Sequence, residues 1–372
     1  MKVPFFEYPR LFKDDREEIL RVIEDVGNRG AYILQKDVLE FEESLSSYVG
    51  SDKAIGVANA TDGLEIAWTA IGLNRGDEVI MSSHTMLATA SAVVMAGGVP
   101  VPVDIGYDNL IDPEAIEAAI TPRTVGISPT HLNGRTCAMD KIMKIAETNN
   151  LVVVEDAAQG LGSKFGGQMA GSFGSAASFS FYPAKILGSM GDGGAITTSS
   201  GELYEKMYQL HDHGRDTNGE INSWGRNSRL DNLQAAILNL RFNSYDATIG
   251  RRREIANHYQ SLLGEIENLK LPEAPSLGSS NFDTYQNYEI EALNRDELVE
   301  YLKNNGVGTL IQWGGMAIHQ WPHVNFSGSL PKTEDFFKKC VMLPMNLFIS
   351  DSDVEYVCEL ILGFYKKVQK LA

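Results

Sequence analysis

The sequence predicts an α/β fold: a mostly parallel central sheet flanked by helices, followed by a smaller α+β C-terminal domain. Three observations carry this. Over the first 245 or so of 372 residues, short apolar runs alternate with helical patterns. After about Leu240 that alternation gives way to long amphipathic segments broken by Pro272, Pro275 and a Gly/Ser run. The chain is 43% hydrophobic and 22% charged, enough apolar residue for a sizeable core.

In chain order, residues 53–59 form a strand and 62–71 the helix after it. Residues 78–82 form a strand and 88–96 a helix. Strands follow at 100–104 and 124–128, and a helix at 139–149. Residues 151–155 are an apolar strand ending in acid, and further strands lie at 178–181 and 194–198. Strands with helices between them imply parallel pairing with both faces covered. Residues 251–263 then read as a long helix, 288–291 as a short strand, and 296–304 and 351–370 as helices. The expected division is a large domain over 1–245 and a small one over 246–372.

Charge and cysteine content exclude several function classes. Lys and Arg number 32 against 49 Asp and Glu, a net charge of −17. Such a chain lacks the basic face that a phosphate backbone demands, so no nucleic-acid partner is expected. Cys137, Cys340 and Cys358 are far apart and include no CxxC pair, which fits a reducing cytoplasm and small buried thiols. The N-terminus lacks the apolar core of a signal peptide. The uncharged stretch 79–103 contains Gly97, Gly98, Pro100 and Pro102, so it reads as strand, helix, turn and strand, not a membrane span. No metal site is expected.

In open α/β sheets, ligands gather at the carboxyl ends of strands. Asp156 stands at such an end, in 151-LVVVEDAAQ-159. A carboxylate there is poorly solvated unless a positive group faces it; the plain alternative is a helix N-cap. Twenty-nine residues on comes Lys185, in 179-FSFYPAKILGSMGDGGA-195, between an aromatic strand and a glycine-rich loop. An apolar setting disfavours the charged amine and frees it for imine chemistry. An Asp for a pyridine nitrogen and a Lys for an imine are the minimum equipment for pyridoxal 5′-phosphate. Its phosphate needs a cup. The segment 58-ANATDG-63 follows a strand and opens a helix, so main-chain N–H groups with Thr61 can cradle an anion. Ser180 can add a hydroxyl. Ten of the 35 glycines crowd between Asp156 and Gly194, where backbone must pass close to a bound group.

At these residues the sequence resembles the sugar aminotransferases of the DegT/DnrJ/EryC1/StrS family. The resemblance covers nearly the whole chain. It runs through 76-GDEVI, 131-HLNG, 155-EDAAQ, 179-FSFYPAK, 191-GDGGA, 213-HGR, 225-GRNSR with 233-LQAA, and 342-MLPM. It implies the fold-type I architecture of pyridoxal-phosphate aminotransferases. It also implies that Lys185 holds the cofactor as a Schiff base and shuttles protons, while Asp156 keeps the pyridine nitrogen protonated. Gln159 would lie near the ring's 3-oxygen. Thr61 and Ser180 would bind the phosphate, and Asn227 would reach the phosphate of the neighbouring subunit's cofactor, making a homodimer with composite sites. Arg229, Trp313 and His319 are candidates for substrate contacts.

The sequence departs from the family in three places. Ala60 replaces the usual glycine before the Thr of the phosphate turn, where only N–H groups are needed. Met86 stands where an aromatic normally stacks on the pyridine ring; a thioether can pack on a ring face. Residues 312-QWGG-315 replace the usual His-Tyr-Pro substrate segment. Some relatives carry His at the Schiff-base position and dehydrate the sugar, so Lys185 points to transamination. The implied reaction moves an amino group from L-glutamate to a nucleotide-linked 3-keto or 4-keto 6-deoxyhexose. Rival readings are a cyclitol (keto-inositol) aminotransferase and a non-catalytic regulatory protein that keeps the cofactor. A generic nucleotide-binding protein fails because no GxGxxG or GxxxxGK[ST] follows the first strand.

Overall fold

The computed structural model describes residues 2–276 and 278–371. Seven strands form the central sheet: β1 (Lys53–Val57), β2 (Glu78–Ser82), β3 (Val99–Val103), β4 (Thr124–Ser128), β5 (Val152–Asp156), β6 (Ala176–Ser180) and β7 (Gly194–Thr198). Their spatial order is β1-β7-β6-β5-β4-β2-β3. Strands β2 to β6 pair in parallel. Strand β7 runs antiparallel to both β6 and β1. The mostly parallel sheet expected from the alternation is therefore present, with one reversed strand. Every residue of β2 and β7 is buried, Glu78, Ser82, Thr197 and Thr198 included, so neither strand alternates between a buried and an exposed face.

The first crossover shows how local chemistry places these elements. Asn59 ends the β1 turn, and its side chain accepts from the Asp62 N–H at 2.9 Å, capping helix Ala60–Ile71. Gly72 closes that helix at φ 90°, a left-handed value that suits glycine. The fully buried Trp68 lies against β4. A Cβ at Gly126 would meet the Trp68 ring at 2.6 Å and the Val152 carbonyl oxygen at 2.9 Å, so only glycine fits there.

Several helices carried too little pattern to assign from sequence: Arg16–Arg29, Lys36–Val49, Gly201–His211, Asn232–Phe242 and Pro331–Lys339. The helix expected from residue 251 begins at Tyr245. Gly250 interrupts its pattern, but Tyr245 and Ile249 anchor the earlier turns in the core around Phe41, Phe179 and Phe181. Further along the same helix, Ile255, Ala256, Tyr259 and Leu263 enter a second core. That core packs an antiparallel sheet of Leu269–Lys270, Tyr288–Ala292 and Cys340–Leu343 against helices Arg295–Asn304 and Asp351–Leu371. The N-terminus joins it: Val3 is buried there and bridges Val307. One helix thus ties both cores together beside the carboxyl ends of β5 and β6.

Replacing Gly126 by Ala should overpack the Trp68 contact and lower stability by about 1–3 kcal/mol. The check is Tm in thermal unfolding; an unchanged Tm would contradict this packing.

Candidate active site

The carboxyl end of β5 delivers Asp156, which is 3% exposed. Its Oδ2 accepts from the Thr89 hydroxyl at 2.7 Å, and its Oδ1 accepts from the Ala158 N–H at 3.1 Å. Thr89 in turn meets Thr85, which meets Thr130, each hydroxyl pair 2.8 Å apart. A buried chain of three threonines therefore ends on the carboxylate and fixes its rotamer. Next to it, Glu155 is wholly buried and fully used. It accepts from the N–H groups of Gly171, Phe173 and Gly174 and from His131 Nε2, at 2.7–2.8 Å. The His131 main-chain N–H donates to the Asp156 carbonyl at 2.9 Å. Glu155 is thus a staple for the glycine-rich loop, and Asp156 is the carboxylate left facing the site.

Lys185 follows β6 in a short turn, its N–H donating to the Tyr182 carbonyl at 2.8 Å. Gln286 braces the next turn from the C-terminal side: its Oε1 accepts from the Ile186 N–H and its Nε2 donates to the Ala184 carbonyl, both at 2.9 Å. Gln286 is itself held by Arg252, a buried guanidinium that donates to the Tyr285 and Gln286 carbonyls. The Lys185 side chain is surrounded by protein, although part of its surface opens to a cavity. Burial pulls its amine down to about 8, and the Asp156 carboxylate works in the opposite sense. Among the described residues Nζ makes no hydrogen bond or ion pair. It is a free amine poised near neutrality beside a carboxylate.

Gln159, Ser180 and Lys185 line one small recess with Ala158, Tyr245 and Gln286. Gln159 Oε1 accepts from the Asn133 N–H at 2.9 Å and from Asn287 Nδ2 at 3.2 Å. Lys185 also opens onto a cavity of about 310 Å³, walled by the N-terminal residues Phe5, Phe6 and Tyr8. Ala60 and Thr61 begin helix Ala60–Ile71. Strand β7 passes hard against that helix start: a Cβ on Gly194 would meet the Asn59 carbonyl carbon at 2.5 Å and the Ala60 nitrogen at 2.8 Å. The donor set fits a pyridoxal phosphate. It offers the N-terminus of helix Ala60–Ile71, a carboxylate without a cation bonded to it, and an unbonded amine.

The remaining candidates, Met86, Asn227, Arg229, Trp313 and His319, are not among the residues lining that recess. Met86 is half exposed, and its sulfur accepts from the Ala88 N–H at 3.0 Å. Asn227 is exposed on the 212–227 loop and lines no cavity with Lys185. Arg229 pairs with Asp212 at 3.2 Å. His319 is buried between Ser83, 2.5 Å from Nδ1, and Glu334, 3.1 Å from Nε2, an arrangement that occupies both ring nitrogens. The Trp313 ring packs near His84 and Phe337. The sequence reading missed Thr89, Asn133, Asn287 and Gln286. The threonines carried a faint signal, three hydroxyls near strand ends; the amides carried none.

The sequence pattern of the DegT/DnrJ/EryC1/StrS aminotransferase family matches residues 13–362. A pleiotropic regulatory protein of Geobacillus stearothermophilus is 37% identical, over 98% of this chain and 99% of its own. The dTDP-3-amino-3,4,6-trideoxy-alpha-D-glucose transaminase of Streptomyces venezuelae is 36% identical, over 92% and 91%. The solved structure of S. venezuelae DesV in complex with a ketimine intermediate superposes with a TM-score of 0.92 at 34% identity, covering 97% of this chain and 98% of that one.

The amine prediction is direct. The rate at which the cofactor-free protein forms an imine with a pyridine aldehyde should rise with pH and level off above about 8, because only the neutral amine attacks. Absorbance stopped-flow reads it; a midpoint near 10 would contradict the buried amine.

Proposed function

The chain belongs to the DegT/DnrJ/EryC1/StrS aminotransferase family, and on that premise we propose that it uses pyridoxal 5′-phosphate to move an amino group from L-glutamate to a nucleotide-linked keto-sugar. The acceptor in this reading is a 3-keto or 4-keto 6-deoxyhexose. The observation that carries the reading is the lowered Lys185 amine beside Asp156 at adjacent strand ends. A named relative that is a transaminase of a dTDP-sugar supports the substrate class.

Bound pyridoxal phosphate supplies an electron sink that stabilises charge at the carbon bearing the amino group. Lys185 holds the cofactor, then acts as the base that takes a proton from the donor's Cα and returns one to the sugar carbon. An amine brought down to about 8 has a far larger neutral fraction near pH 7 than an ordinary lysine, which suits proton transfer in both directions. Asp156, aimed by Thr89, keeps the pyridine nitrogen protonated. Gln159, held by Asn133 and Asn287, would lie near the ring's 3-oxygen. Ala60 and Thr61 would offer N–H groups and Ser180 a hydroxyl to the phosphate, and Met86 would stand where an aromatic usually stacks on the ring. Trp313, Arg229 and His319 stand as substrate-side candidates. The partners given to Arg229 and His319 favour a positioning role for them.

Asn227 completes the site across a homodimer. Support comes from its own loop, which bears a 97% exposed Trp224 and an exposed Ile221, apolar surface of the kind that a second copy covers. The domain division at residue 245 is supported by the core that residues 255–365 build with Val3, while Ile249 and Ile318 reach across it into cores of the large domain. A cytoplasmic setting is supported by three buried free cysteines. Among the described residues no helix is long and apolar enough to cross a membrane. A regulatory relative exists, but the free amine and carboxylate favour catalysis.

Lys185→Ala should lower amino-sugar formation by at least roughly 10²-fold across a mass-spectrometric panel of 3-keto and 4-keto nucleotide sugars and keto-inositol. Wild-type rates in that variant would remove the lysine from its role, and turnover of keto-inositol alone would favour the cyclitol reading. Asp156→Asn should retain cofactor but lose most turnover. Mixing Lys185→Ala with Asn227→Ala protein should restore activity, since each mixed dimer holds one site with both native residues; no recovery would count against a shared site.

A further inference from the structure

The segment 312-QWGG-315 stands where the family carries its usual substrate segment, yet Gln312 is buried and lines neither space that Lys185 opens onto. Trp313 and Gly314 follow it in the left-handed region, at φ 47° and 68°. Asn133 is left-handed too, at φ 57°. A non-glycine residue persists there only where its surroundings over-determine it. The two turns meet in one hydrogen-bond network, which ends on Gln159.

Gln312 Nε2 donates to Asn133 Oδ1 at 2.9 Å and to Glu289 Oε2 at 3.0 Å. Asn133 Nδ2 donates to the same carboxylate oxygen at 2.6 Å. Asn287 Nδ2 donates to Asn133 Oδ1 at 2.8 Å and to Gln159 Oε1 at 3.2 Å. The Asn133 main-chain N–H donates to Gln159 Oε1 at 2.9 Å. Each amide in this set has one workable orientation. A carboxylate accepts and does not donate, so Asn133 and Gln312 turn their nitrogens to Glu289. Asn133 Oδ1 is then left for Asn287, whose nitrogen serves both Asn133 and Gln159. A main-chain N–H can only donate, so the end of Gln159 that meets it is the oxygen. Gln159 Nε2 is therefore the free end, and among the described residues it makes no hydrogen bond. Gln159 is half-buried and shares its recess with Lys185 and Ser180.

We propose that Gln312 is a positioning residue for the cofactor ring: anchored on Glu289 and acting through Asn133 and Asn287, it holds Gln159 with the amide nitrogen outward, as a donor to the ring's 3-oxygen. The inference rests on the reading that places Gln159 by that oxygen. Without the Gln312 amide, Asn133 loses a donor on its oxygen and a neighbour on Glu289, and Asn287 and Gln159 gain freedom to turn. The segment that departs from the family pattern thus braces the cofactor side of the site in place of meeting substrate.

A donor on the 3-oxygen steadies the ring's negative charge and makes the Schiff-base proton easier to lose. Absorbance titration of the protein loaded with pyridoxal phosphate reads the pH midpoint of that loss. Gln312→Met, close in shape but without the amide, should raise the midpoint by about half a unit or more. Asn287→Ala, at a half-buried position, should raise it likewise and serves if Gln312→Met does not fold. Gln159→Met should raise it too, and adding either variant to it should change nothing further, because all three act through one amide. A wild-type midpoint in folded Gln312→Met or in Asn287→Ala, or a full further shift on the Gln159→Met background, would overturn the proposal. An unmoved midpoint in Gln159→Met would overturn it by another route, removing Gln159 from the 3-oxygen, so the two failures are told apart.

Discussion

The site depends on one electrostatic constraint: an amine and a carboxylate brought close together without being allowed to form an ion pair. In water both would be charged and would attract. Here burial pulls the Lys185 amine down to about 8 more strongly than Asp156 raises it. Asp156 is committed elsewhere, with one oxygen on Thr89 and the other on the Ala158 N–H. Neither group can satisfy the other, so both remain available to a third party placed between them. That arrangement is costly in an empty protein and useful in one that holds a cofactor.

Much of the fold serves to keep those two groups still. Glu155 spends all its acceptor capacity on His131 and the 171–174 turn, which locks the strand end that carries Asp156. Gln286 and Arg252 hold the Lys185 turn from the C-terminal core, and helix Tyr245–Leu263 joins that core to the large one. Movement of the C-terminal core would therefore be felt at Lys185 directly, through main-chain hydrogen bonds. The glycines work in the same direction. Gly194 lets β7 touch the helix start at Ala60, and Gly174 packs where a Cβ would strike the Val153 carbonyl oxygen at 2.5 Å.

How much of this was legible in the sequence depended on how local the signal was. The strands of the sheet are buried on both faces, so their composition announced them, and the ends that carry Asp156 and Ser180 came with them. Lys185 was legible because its neighbours are aromatic and its nearest acid is Asp192. The reversed direction of β7 was not legible, since strand direction follows from connection geometry and leaves no mark on five buried residues. The early start of helix Tyr245–Leu263 was hidden by Gly250, whose cost is met by tertiary packing of Tyr245 and Ile249. Thr89, Asn133, Asn287 and Gln286 act through partners 26 to 128 residues away, and Thr89 through one 67 away. No spacing rule reports contacts of that range.

The central claim, that an amino group passes from donor to sugar at the site of Lys185 and Asp156, is tested most directly by isotope transfer in a single turnover. The wild-type protein is given L-glutamate labelled with ¹⁵N and a nucleotide-linked keto-sugar, and the sugar product is read by mass spectrometry. The account predicts an amino sugar carrying ¹⁵N in full, with 2-oxoglutarate formed in equal amount. Label released as ammonia, or a sugar recovered without nitrogen, would contradict it.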